Sequence, residues 1–312
     1  MNIIYYVGRL RLGGGTRIMA QHVEALKSMG HNAVLATLAR KDDYDFGVPV
    51  SVFSGIDALA ATGPDLAVAC HAADIAELYG KFRKLVFFVQ GYHFEELEIY
   101  HSERRRLPRY AIWPGRLILN RRIARERRKL SEIYQLPLSF WCVSPVTAMH
   151  LQSDFGISAQ IIRNSIDHDL FYPEEPRDPV PSIVCIGSAD SPRKNISRAM
   201  EAVSILKKSR QARFIRISPV RERERERERE NLLANCKIAD ELHECLPRKD
   251  FAAICRKAHI LFSPSLQEGF GLPAVEGMAC GSIAVLSDIP VYHSFHTGLP
   301  ERPYPYALYC VR

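Results

Sequence analysis

A chain of 312 residues, 47% hydrophobic and 25% charged, holds enough apolar side chains for two buried cores and carries a formal net charge of +7 at pH 7. No uninterrupted apolar run approaches the roughly 18–20 residues a helix needs to cross a bilayer, which argues against a membrane-spanning chain. Eight cysteines are scattered with no Cys-x-x-Cys pair, favouring reduced core thiols over a zinc site or disulfide framework and the cytoplasm as location.

Strand and helix signals alternate along the chain, predicting an α/β fold of parallel sheets with helices on both faces. Residues 3–7 read as a first strand rather than a signal peptide, lacking a basic start and a small-residue cleavage site. Gly13-Gly14-Gly15 then forms a turn into a helix over 16–29, with strands near 33–37, 66–69, 85–89 and 140–143. Gln90-Gly91-Tyr92-His93 follows a strand end, where open α/β sheets bind ligands. His93 is therefore a candidate contact to a ligand, or simply a hydrogen-bonded loop histidine.

Between residues 103 and 130, eleven Lys/Arg oppose two acids, Glu103 and Glu126. Leu119, Ile123, Leu130 and Tyr134 fall on one helical face with arginines around the rest, and Trp113 sits just upstream. Such a segment suits an anionic membrane surface, at about 1 kcal/mol per basic residue, or is an ordinary surface helix packed on its own domain. Nucleic acid is not expected, because aromatics do not interleave with the charges and no nucleic-acid motif is present.

Pro173, Pro176, Pro179 and Pro181 mark a linker, so the expected domains are 1–172 and 173–312. The second opens on a strand at 182–187, followed by Pro192-Arg193-Lys194-Asn195, and continues with a strand at 213–218. Five Arg-Glu repeats at 221–230 sum to zero charge and read as a solvated helix extension running toward 232–236. If their codons alternate as a dinucleotide tract, the tract would slip in replication and act as an on/off switch; mixed codons in the gene would remove that hypothesis.

The densest signal is Ser263-Pro264-Ser265-Leu266-Gln267-Glu268-Gly269-Phe270-Gly271-Leu272-Pro273-Ala274-Val275-Glu276-Gly277-Met278-Ala279-Cys280-Gly281. The apolar run 258–262 reads as a buried parallel strand. Gly269 and Gly271 let the following turn approach a ligand, Pro273 opens a helix and Gly281 closes it. A helix N-terminus there favours phosphate. Glu268 and Glu276, with seven residues between them, are placed to take a sugar's hydroxyls and a ribose joined by a diphosphate.

This segment resembles the signature of the retaining glycosyltransferases of family 4, glycosyl transferases group 1. The resemblance covers most of residues 1–295 and is strongest over 258–291. It implies a GT-B fold, two Rossmann-like domains facing a cleft, with the C-terminal domain truncated: Pro300, Pro303 and Pro305 cannot be helix interior where relatives continue with helices. Asn164-Ser165-Ile166-Asp167 resembles the family segment that ends the first domain, with Ser165 in place of glycine.

By the same resemblance Glu268 holds donor-sugar hydroxyls, Glu276 the ribose, and Arg193 with Lys194 the diphosphate, stabilising charge on the leaving group. Ser188 stands where many relatives have a further arginine. Backbone N–H groups around Phe270, Gly271 and Leu272 complete the pocket, and Gly14 and Gly15 face the donor phosphates and acceptor. The chain lacks the Gly-x-Gly-x-x-Gly of dinucleotide enzymes. No metal and no cofactor are expected beyond the nucleotide-diphosphate sugar itself. The expected partners are that donor and a glycan or lipid-linked acceptor, in polysaccharide or lipid-linked glycan assembly on the inner face of a membrane. A catalytically silent homologue that binds nucleotide or a partner, and a sugar-nucleotide epimerase, are the alternatives.

Overall fold

The computed structural model describes residues 1–10, 12–40, 44–107, 114–219, 238–296 and 307–310. The chain divides into two compact units, Met1–Asn164 and Ser165–Arg312. The division falls eight residues before the expected one, because Phe171 is buried in the second unit's core beside Phe251. No glycine closes the turn at Ser165; the Asp167 carboxylate takes the Asp169 N–H at 3.1 Å and the Asp167 carbonyl those of Leu170 and Phe171.

In unit 1 the strands are β1 Asn2–Tyr6, β2 Arg9–Leu10, β3 Asn32–Thr37, β4 Ala39–Arg40, β5 Val50–Val52, β6 Leu66–Ala69, β7 Leu85–Val89, β8 Ser139–Cys142 and β9 Gln160–Ile161. Seven form one parallel sheet in the order β5-β3-β1-β6-β7-β8-β9, while β2 and β4 pair separately. Central strands read as unbroken apolar runs because both faces are covered: every residue of β7 is buried. The first helix, Gly14–Ser28, starts two residues earlier than expected, so Gly14 and Gly15 are its opening residues and not a loop.

In unit 2 the strands are β10 Ser182–Ile186, β11 Arg213–Ser218, β12 Glu241–Glu244, β13 Ile260–Ser263, β14 Ile283–Ser287 and β15 Ala307–Cys310. They form a parallel sheet in the order β12-β11-β10-β13-β14-β15. Strand alternation feeds two cores. Ile183 and Cys185 face Ala199, Met200 and Val203 of helix Ile196–Lys207. Val184 packs on the opposite side with Phe251, Leu261 and Ala274. Strand order reverses between β10 and β13, and a crevice opens beyond the carboxyl ends of strands at such a switch point.

The basic segment forms helix His93–Arg105 and helix Gly115–Tyr134. Leu119, Ile123 and Tyr134 are buried and Leu130 packs on the unit 1 core, so the apolar stripe is internal, as in the packed-helix reading. Arg122 and Arg128 pair with Glu126 and Glu132 one turn away, and Arg127 with Glu98. The face left outward carries Leu117, Ile118, Arg121, Arg125 and Lys129. Among the described residues no helix is long and apolar enough to cross a membrane. Arg109, Trp113, the Arg-Glu repeat, residues 232–236 and the prolines at 300, 303 and 305 lie outside the described residues.

Candidate donor site

Three strand ends of unit 2 bring the site together. After β10 comes a short turn of 3-10 helix, Pro192–Lys194, which presents Arg193 and Lys194. After β13 the chain loops through Glu268 into helix Leu272–Ala279, whose N-cap is Gly271. The Leu266 N–H donates to the Arg193 carbonyl at 2.7 Å, stitching the two loops across the switch point.

Gly271 is required twice over. Its φ of 83° lies in the left-handed region, and a Cβ there would come within 2.6 Å of the Tyr292 ring. The other end of the helix closes on Gly281 as the sequence predicts, with its φ at 76° and Arg177 donating to the carbonyls of Cys280 and Gly281.

Glu268 and Lys194 meet as an ion pair, Nζ to Oε1 at 2.5 Å, with side chains only 7% and 16% exposed. The Ser265 hydroxyl donates to the same carboxylate oxygen at 2.7 Å, and Arg193 donates to Gln267 at 3.3 Å. Burial by itself raises the Glu268 pKa, but the charges of Lys194 and Arg193, with the Lys194 and Ser265 hydrogen bonds, outweigh it and hold the carboxyl below its ordinary value. Behind it Ser263 shares hydrogen bonds with Ser265 and with Tyr292, at 3.3 and 2.7 Å. Tyr292 is buried, and burial pushes its phenol well above its ordinary value.

Glu276 has its own cation. Arg248, the first residue of helix Arg248–Lys257 after β12, donates from Nη1 to Glu276 Oε1 at 2.7 Å. Its guanidinium lies 4.5 Å from the Phe171 ring centroid and 5.9 Å from that of Phe251. Phe270 packs its ring 6.1 Å from that of Phe295 beside this loop. Ser188, in place of an arginine, accepts the Asp190 N–H at 3.2 Å.

Unit 2 thus gathers Arg193, Lys194, Glu268, Phe270, Gly271, Leu272 and Glu276. Gly14, Gly15 and His93 belong to unit 1. There, Gln90 donates to the Gly15 carbonyl at 3.1 Å. His93 opens a helix with Nδ1 2.6 Å from the Tyr134 hydroxyl and its ring against Phe87. The sequence reading missed Arg248, Ser263, Ser265 and Tyr292. One signal marked Arg248: a cation in a helix's first turn opposes the helix dipole and calls for a compensating partner. Among the described residues no three His, Cys, Asp or Glu side chains cluster to hold a metal.

Residues 180–298 match the family model for glycosyl transferases group 1. The second unit is therefore similar to that family over most of its length. Over 197 residues the chain is 32% identical to the MMP alpha-(1->4)-mannosyltransferase of Mycolicibacterium hassiacum, covering 62% of this chain and 44% of the relative. A 56-residue stretch is 41% identical to the O-antigen chain mannosyltransferase RfbU of Salmonella typhimurium, covering 18% and 16% respectively. The chain therefore spans less than half the length of either relative. Anabaena HepE in complex with UDP and glucose superposes with a TM-score of 0.69 at 14% identity, over 100% of this chain and 86% of that one. At that identity the likeness is one of fold, and the fold is the α/β GT-B class with two parallel sheets.

Proposed function

We propose that this chain is a retaining glycosyltransferase that moves a sugar from a nucleotide-diphosphate donor onto an acceptor hydroxyl. One observation carries the reading: at the switch point of a group 1-like unit, two buried carboxylates are each held by a cation, Glu268 by Lys194 and Glu276 by Arg248. Carboxylates kept charged accept hydrogen bonds from sugar and ribose hydroxyls. Arg193 and Lys194, bonded to the loop that leads into helix Leu272–Ala279, suit the diphosphate.

As the bond from the anomeric carbon to phosphate oxygen breaks, negative charge collects on the leaving diphosphate, and these cations stabilise it where it forms. The reaction needs no divalent ion in this reading, and chelators leave the rate unchanged. Neither glutamate is assigned as a covalent nucleophile of the glycosidase kind. The acceptor, a glycan or lipid-linked glycan, is assigned to unit 1. Both mannosyltransferase relatives make a mannose donor the first to try.

The test is a panel of UDP-, GDP-, ADP- and TDP-sugars presented to the native chain and to Glu276→Ala. Selective binding of one donor, weakened in the variant, with slow release of free sugar of unchanged anomeric configuration, is the expected result. Binding without turnover would favour a silent homologue, and conversion of donor to an epimer without acceptor would favour an epimerase. The outward basic face of helix Gly115–Tyr134 is assigned to an anionic lipid surface. Sedimentation should rise with the anionic fraction of vesicles; equal sedimentation with neutral ones would contradict the assignment.

A further inference from the structure

We infer that Arg248 is a positioning residue that aims the Glu276 carboxylate at both ribose hydroxyls. The donor site then selects ribonucleoside diphosphates over their 2′-deoxy counterparts. The inference rests on the donor-site reading above and adds a residue and a substrate class to it.

Arg248 comes from the end of a third strand, β12, and lies 28 residues before Glu276 in the chain. At the start of a helix its charge is opposed by the helix dipole. Besides Asp250 in the same first turn, the Glu276 carboxylate, 4% exposed, and the faces of Phe171 and Phe251 compensate. A guanidinium is a rigid plane, so stacking on Phe171 fixes the direction of the N–H that reaches Glu276.

A lysine would supply only a point charge on a flexible stem. With one oxygen of Glu276 bonded to Arg248, the carboxylate is held in one rotation. An ionised carboxylate is an acceptor only, with about four lone-pair sites. It rewards two hydroxyl donors side by side and gains nothing from a C–H at the 2′ position. Without Arg248 the buried carboxylate loses the hydrogen-bonded ion pair on Oε1 that fixes its orientation. Lys194 plays a different part at Glu268, because it also lies among the groups assigned to the diphosphate.

The experiment measures dissociation constants of UDP, GDP and ADP, each beside its 2′-deoxy form, for the native chain, Arg248→Met, Arg248→Lys and Glu276→Gln. Inorganic pyrophosphate serves as a probe without ribose. A hydrogen bond to a charged group corresponds to about a tenfold to hundredfold preference, which the native chain should show for the ribonucleotide of its chosen base. Arg248→Met and Glu276→Gln should bring the preference within about threefold while leaving pyrophosphate affinity within about twofold, on the same scale. Arg248→Lys should fall between. A merely structural role would lower the melting temperature and weaken all ligands together without changing the ratio.

If Arg248→Met does not fold, the lysine variant and Glu276→Gln carry the test. The native preference persisting in Arg248→Lys or in a folded Arg248→Met would overturn the inference, as would a native chain that binds both sugars equally. A native chain that binds no nucleotide would instead overturn the donor-site reading itself.

Discussion

Both sheets reverse strand order at one point, between β1 and β6 in unit 1 and between β10 and β13 in unit 2. The chemistry at the two points differs. In unit 1 the loop after β1 offers the Gly8 N–H to Asp74, at 3.1 Å. Burial raises the Asp74 pKa above its ordinary value, and the neighbouring Glu77 charge adds to this against His71. In unit 2 the corresponding loop brings Arg193 and Lys194, and the Glu268 pKa falls although its carboxylate is buried too. Topology supplies a crevice twice, and charge decides which one suits an anion: function resides in the site and not in the fold.

Removing a cation from unit 2 should have the largest effect. Lys194→Met takes from buried Glu268 its ion-pair partner and leaves Arg193 as the neighbouring cation; it should cost up to about 3–5 kcal/mol and abolish donor turnover. A melting curve and a hydrolysis assay on the same preparation check both. Gly271→Ala should cost about 1–3 kcal/mol from left-handed strain and the clash with Tyr292. The unit 1 counterpart, Gly15→Ala, meets only the flexible end of Gln90 at 2.6 Å. It should cost less than about 1 kcal/mol, because alanine favours the helix.

The pH response should separate the units. Glu268 has a depressed folded pKa, so its stabilisation is complete above the ordinary carboxylate value of about 4.3. It is lost as pH falls through the folded value, and Glu268→Gln should flatten that loss. Asp74 is raised, so its contribution has the opposite sign: it is greatest below the ordinary value of about 3.9 and lost as pH rises through the folded one. Hydrogen exchange at β10 and β13 against β1 and β6, followed through the acid range, reads the two separately. The smallest effect belongs to His93→Ala. Because the ring turns toward Tyr134, the variant should lose about 1 kcal/mol of stability and keep its donor affinity.

The strand, turn and helix around Glu268 were legible because a buried run, two glycines and a helix-opening proline follow each other locally. The partners of the two glutamates were not equally so. Lys194 was found by its own motif, but Arg248 joins Glu276 only when β12 and β13 lie in one sheet, and Tyr292 reaches Ser263 across 29 residues. The short strands β5, β9 and β12 also escaped notice, being polar or half-exposed edges without an apolar run. The opening of helix Gly14–Ser28 was misplaced because three glycines signal a turn more strongly than a helix start.

The most direct measurement is hydrogen exchange by mass spectrometry with and without saturating nucleotide-sugar, on the native chain and on Lys194→Met. The account predicts protection over residues 187–195 and 264–276, lost in the variant. Protection confined to unit 1, or equal in the two proteins, would contradict the placement of the donor at the unit 2 switch point.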